Sequence, residues 1–161
     1  MKPSLMKTGK HGVCAVLWLA AAFVFIPRAF GADDSESAPA MISNKPEIVV
    51  EQPSGQNLRD GRSKRGFGTV QVGKQSKSKT ITIRNIGSAP LRGLFVTKAG
   101  RNPDDFIIGP IASSKLKSGG TTIFKVVFKP GAKGARIAVI RIHSNDGNEN
   151  PFDIRVSGTG A

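Results

Sequence analysis

Polar and apolar residues alternate most regularly between Thr121 and Gly160. Successive side chains of a strand point to opposite faces, so Phe124, Val126 and Phe128 fall on one face and Lys125 and Lys129 on the other. The next segment sets Ala138, Ile140 and Ile142 against Arg141 and His143. A third places Ile154 and Val156 between Asp153, Arg155 and Ser157. The links are short: Pro130 to Gly134, and Asn145 to Pro151 with its Asp146-Gly147 step, which favours the positive φ of a tight turn. The pattern predicts an antiparallel meander with one buried and one solvated face.

Upstream, the same period recurs in shorter runs. Residues 46–51 form a strand bracketed by Pro46 and Pro53, which suits a sheet edge because proline cannot donate to a ladder. Phe67, Val70 and Val72 read as strand residues among glycines that permit a bend. Lys79 to Asn85 is a strand with Ile81 and Ile83 inward, closed by a turn from Asn85 to Pro90. Leu91 to Ala99 follows, with Leu94 and Val96 as core positions. Asp105 to Gly109 reads as a short strand crossing toward a second sheet, and Ile111 to Gly120 as a polar loop carrying Lys115 and Lys117. Seven to eight strands with turns between them, and no amphipathic helical stretch, predict an all-β antiparallel sandwich of the immunoglobulin-like class.

The first residues change the picture. Lys2, Lys7 and Lys10 precede an apolar run from Val13 to Ile26, and Ala29-Phe30-Gly31 offers small residues where a signal peptidase reads. Residues 1–31 are therefore expected to be a signal peptide cleaved after Gly31, too short in its apolar run to span a bilayer. Cys14 stands near the start of that run rather than at its end, so no lipid anchor is expected. Residues 32–44 read as a flexible leader, and 45–161 as one domain. The only cysteine departs with the signal, so the domain rests on its hydrophobic core, in a secreted or periplasmic setting. The full chain carries a formal charge of +13; losing Lys2, Lys7, Lys10 and Arg28 leaves +9. That excess either keeps a small domain soluble or attracts an acidic polymer, nucleic acid or anionic envelope surface. Its densest cluster is Arg59, Arg62, Lys64 and Arg65, a candidate patch for an anionic partner. A solvated loop or a dibasic processing signal are the other readings of that stretch.

Candidate chemistry is sparse. Gly66-Phe67-Gly68 is not followed by the third glycine or the helix of a dinucleotide fingerprint. His143, Ser144 and Asp146 are neighbours along a strand end, whose side chains diverge, so they read as surface rather than as a triad. With His11 in the signal and no mature cysteine, no zinc set is expected. Asp146, Asn148 and Asn150 begin like a calcium loop, but Pro151 stands where that loop needs glycine and Ser157 where it needs glutamate, so a hairpin turn is expected. Asp104 and Asp105 read as a loop pair. The mature chain has no tyrosine or tryptophan on which bases or sugars could stack. No enzyme, cofactor, metal or small-molecule substrate is expected; an open sandwich edge able to accept a partner's strand is.

Taken in order, the blocks Gly66 to Gly73, Ile81 to Gly87 with Pro90 and Leu91, Phe106 to Ile108, Val127 to Pro130 with Gly134, Ile142 to Asp146 and Val156 to Gly160 carry a resemblance. Together they resemble the ASH domain, the immunoglobulin-like module of abnormal-spindle, centrosomal and Hydin proteins, and in bacteria the choice-of-anchor D repeats. The resemblance spans Pro46 to Ala161. It implies a seven- to eight-stranded sandwich that serves as a binding or spacer unit, tied in eukaryotic relatives to cilia, centrosomes and microtubules. The signal peptide departs from a cytoplasmic microtubule role, a single copy departs from the bacterial strings, and no anchor is expected after Ala161. The expected function is a secreted, non-enzymatic module acting through protein contacts; the alternative is an electrostatic binder of acidic polymers or membrane surfaces.

Overall fold

A computed structural model describes residues 44–161. The expectations for residues 1–31 and most of the leader lie outside that range. Among the described residues are eight strands: β1 (Ile48–Glu51), β2 (Lys64–Val70), β3 (Lys79–Asn85), β4 (Phe95–Ala99), β5 (Phe106–Ile108), β6 (Thr121–Phe128), β7 (Gly134–His143) and β8 (Phe152–Gly160). A 3-10 turn, Pro103–Asp105, precedes β5. The strands form two four-stranded sheets, ordered β1-β3-β6-β5 and β2-β8-β7-β4. The expected sandwich is therefore present, and the chain crosses between sheets from β4 to β5 as its pattern implied.

The core follows from the alternation. Ile81 lies opposite Phe124 across β3 and β6, and Ile140 opposite Ile154 across β7 and β8. All four are buried, as are Val126, Phe128, Ile142 and Val156. Near the β6–β7 turn the filling is aromatic: Phe106 and Phe128 lie 5.0 Å apart, and Phe67 meets Phe106 edge-on at 5.8 Å. Gly158 makes room for this packing, since a Cβ there would stand 2.4 Å from a ring carbon of Phe128. At the opposite end Asn85, fully buried, ties the β3–β4 turn. Its amide donates to the Ala89 carbonyl at 2.8 Å, and its oxygen accepts the Gly87 N–H at 3.1 Å.

Several local expectations are corrected. The strand expected over Leu91 to Ala99 is regular only from Phe95. Leu91 instead makes an isolated bridge to Leu116, and both are buried. The segment 111–120 is thus not wholly polar surface: Leu116 plugs the core from within it. Val96 is only half-buried because β4 is an edge strand, and Leu94 carries the burial there. The sandwich is not antiparallel throughout, since β2 runs parallel to β8. Its register shifts between Gly66 and Thr69, around Gly68 at φ 73°, where a side chain would be strained. The basic stretch is not one loop either, because β2 begins at Lys64.

Candidate functional site

Acidic side chains collect at both ends of the sandwich. At the β6–β7 end, Asp105 is no exposed loop residue. It is buried, it accepts the Gly131 N–H at 2.9 Å, and it forms an ion pair with the Arg136 guanidinium. Burial pushes its carboxyl up, but the hydrogen bonds from Arg136 and Gly131 and the Arg136 charge outweigh this and hold it below the usual range. At the β7–β8 end, carboxylate oxygens of Glu47, Asp146 and Glu149 lie within 4.8 Å of one another. These are the described residues that could together approach a cation. Both Asp146 oxygens already accept backbone donors: the Ile48 N–H of β1 at 2.8 Å, and, within the expected turn, the Asn148 N–H at 3.2 Å. Glu149 is pushed up by burial and by the charges of Asp146, Glu47 and Asp60.

The four cations of the basic stretch are divided between a loop and a strand. Arg59 and Arg62 are exposed on the loop before β2. Lys64 and Arg65 are consecutive strand residues; Arg65 turns its guanidinium to the Gln52 carbonyl at 2.8 Å, whereas Lys64 stays exposed. Lys64 lies opposite Arg155 of β8, which lies opposite Val139 of β7. These residues, with Arg101, Ile137 and Ser157, line a groove of about 500 Å³ on the outer face of their sheet. Sequence reading passed over this groove, although Ile137 carried a signal: it is apolar in the solvated phase of β7 and 47% exposed.

A second recess, of about 530 Å³, lies between the edge strands β4 and β5, one from each sheet. Phe95, Val96, Ile107 and Ile111 line it, and Lys98 is the one charged residue among its walls. Phe95 and Ile107 are 52% and 41% exposed. The Phe95 ring stacks on the His143 imidazole at 4.3 Å, and His143 is within 3.0 Å of the Thr97 hydroxyl. His143 is thus a half-buried strand residue braced across the pair, and it is the single imidazole among the described residues. No helix among them is long and apolar enough to cross a membrane.

Comparison with known proteins gives the fold a family. In overall shape the chain is similar to a Porphyromonas gingivalis protein of unknown function, with a TM-score of 0.55 at 23% identity. That match covers 76% of this chain but only 51% of the other, so the chain spans about half of that protein's length. Weaker matches include the ASH/PapD-like domain 7 of human CEP192, with a TM-score of 0.47 at 18% identity over 73% of this chain and 86% of that one. Another is the secreted serine protease VesC of Vibrio cholerae, with a TM-score of 0.46 at 17% identity over 73% and 23%. No curated protein matches the sequence. Residues 62–159 match the HYDIN/CFA65/VesB-like, Ig-like domain, and the chain belongs to that family.

Proposed function

We propose that this protein is a secreted, non-enzymatic immunoglobulin-like module that acts by protein–protein contact, receiving an extended segment of a partner at the β4–β5 side. The observation that carries the reading is the apolar recess between two edge strands, with Phe95 and Ile107 exposed beside it. Edge strands retain unpaired backbone donors and acceptors, and an apolar recess between them supplies side-chain pockets for a strand laid alongside. Secretion rests on the basic, apolar and small-residue order of the first 31 residues. A second reading, binding to an acidic polymer or membrane surface, is favoured by the charge of +9 left after loss of Lys2, Lys7, Lys10 and Arg28 from the +13 of the full chain, and by the cations from Arg59 to Arg65.

The test is capture from envelope and secreted fractions at moderate salt with the purified protein and with Phe95→Ser/Ile107→Ser. Partners held by the wild type and lost from the variant are expected. Identical capture by both removes the β4–β5 side from the interface, and capture confined to low salt favours the second reading.

A further inference from the structure

We propose that the groove on the outer face of β2, β8 and β7 is a second binding site, specific for an acidic peptide segment with an aliphatic residue between its carboxylates. Its rim carries Lys64, Arg101 and Arg155, and no acidic side chain lines it. Among the described residues none of these three has a carboxylate within salt-bridge distance. Arg141, Arg136 and Lys98 in the same region are each paired, with Asp153, Asp105 and Asp104. Three uncompensated cations around one recess make a local positive field that a carboxylate partner would neutralise.

The floor sets what lies between the charges. Ile137 and Val139 present aliphatic surface there, and Ile137 is anchored by two bonds to Asn102: its N–H donates to the side-chain oxygen at 3.1 Å and its carbonyl accepts the Asn102 N–H at 2.9 Å. Gly100, at φ 103°, brings the chain against β7 so closely that a Cβ would lie 3.2 Å from the Ala138 Cα, and Arg101 follows it at the edge of the groove. From β8, which carries Arg155, to the chain beyond β4, which carries Arg101, is about two strand spacings, or roughly 10 Å. An extended peptide covers that distance in about three residues. Two carboxylates two residues apart share one face of such a peptide, within reach of the long side chains of Arg155 and Arg101, while the aliphatic side chain between them faces the other way, onto Ile137.

The same features argue against other anions. No aromatic ring lines the groove, so sugars and bases lack a stacking surface.

The groove lies on a sheet face rather than at the β4–β5 recess, so it is tested independently. The probe is a fluorescein-labelled ten-residue peptide of aspartate and glutamate interrupted by valine and leucine, followed by anisotropy at moderate salt with the purified protein. We expect saturable binding that weakens about 10-fold or more in Lys64→Ser/Arg101→Ser/Arg155→Ser, and at least about 3-fold in Ile137→Ser. Arg59→Ser/Arg62→Ser and Phe95→Ser should bind like the wild type. All replaced side chains are exposed, and unchanged melting checks that each variant folds. Absence of saturable binding overturns the proposal. So does an equal loss in Arg59→Ser/Arg62→Ser, silence of Ile137→Ser, or tighter retention of heparin or phosphatidylserine vesicles than of the peptide. Binding that appears only after deletion of residues 32–43 assigns the groove to the chain's own Asp33, Asp34 and Glu36, and overturns an external partner.

Discussion

The two ends of the sandwich bury acid in opposite ways. Beside the β6–β7 turn, Asp105 has a guanidinium and a backbone N–H directed at its two oxygens. Beside the β7–β8 turn, Glu47, Asp146 and Glu149 crowd together, and no cation is ion-paired with any of them among the described residues. The residue type is the same; the donors differ. At the first end desolvation is overcome and the carboxyl titrates low, whereas at the second desolvation and like charges act together and Glu149 titrates high. The first arrangement pins the turn to the core, and the second leaves repulsion in the fold at neutral pH.

Breaking the first end should give the largest effects. Phe128, fully buried against Phe106 and Phe67, should destabilise the domain by about 3–5 kcal/mol when replaced by alanine. Urea denaturation measures this, and a loss below about 1 kcal/mol would show that the ring is not held in the core. Arg136→Met should follow at about 3 kcal/mol near neutral pH, because it strands the Asp105 carboxylate without its partner. A carboxyl whose folded pKa is depressed contributes stability above its unfolded value of about 3.9, and loses it as pH falls through the folded one. The gap between wild type and Arg136→Met should therefore narrow below about pH 4; a gap constant with pH would mean that Arg136 acts by packing alone. Gly158→Ala presses on Phe128 from the facing sheet and should cost about 1–3 kcal/mol, with the Phe128 ring displaced in a crystal structure of the variant.

The strands were legible wherever one face is buried and the other wet, as in β3, β6, β7 and β8, because period-2 alternation is what that geometry selects. It faded where neighbours are fewer. In β4, an edge strand, Val96 is only half-buried and Phe95 points outward, so apolar identity no longer reports the phase. Leu58 and Leu116 are single apolar residues in polar runs; each reaches the core from a loop held by a backbone bond, Leu58 N–H to the Val50 carbonyl at 2.7 Å and Leu116 N–H to the Leu91 carbonyl at 2.8 Å. No local pattern marks such anchors. The parallel pairing of β2 with β8 is equally invisible, since the two are far apart in the chain and alternation carries no direction. For the surfaces, the run from Arg59 to Arg65 suggested one patch by adjacency, but a strand sends Lys64 and Arg65 to opposite faces. The groove instead gathers Lys64, Arg101 and Arg155 from segments that only the fold brings together.

The smallest predicted effect reverses sign and tests the second end directly. Glu149 is half-buried, and its raised folded pKa means that the folded chain holds this proton more tightly than the unfolded one. The resulting stabilisation is complete below the unfolded value of about 4.3 and is lost as pH rises through the folded value. Above that folded value the ionised side chain faces Asp146 and Glu47. Glu149→Gln keeps the shape and removes the charge, so it should stabilise the domain near pH 7 by roughly 0.2–1 kcal/mol, a range suited to a partly exposed group. The gain should vanish below about pH 4, where the wild-type carboxyl is itself protonated. Thermal melts of both proteins across pH 3.5 to 8 read the difference, and a destabilised variant at pH 7 would show that Glu149 makes a favourable contact that outweighs the repulsion. Acid acts on the two ends in opposite directions: it relieves Glu149 first and strips Asp105 of its advantage at lower pH. Glu149→Gln should therefore change the pH profile on its neutral side while leaving the contribution of Asp105 and Arg136 on the acid side in place.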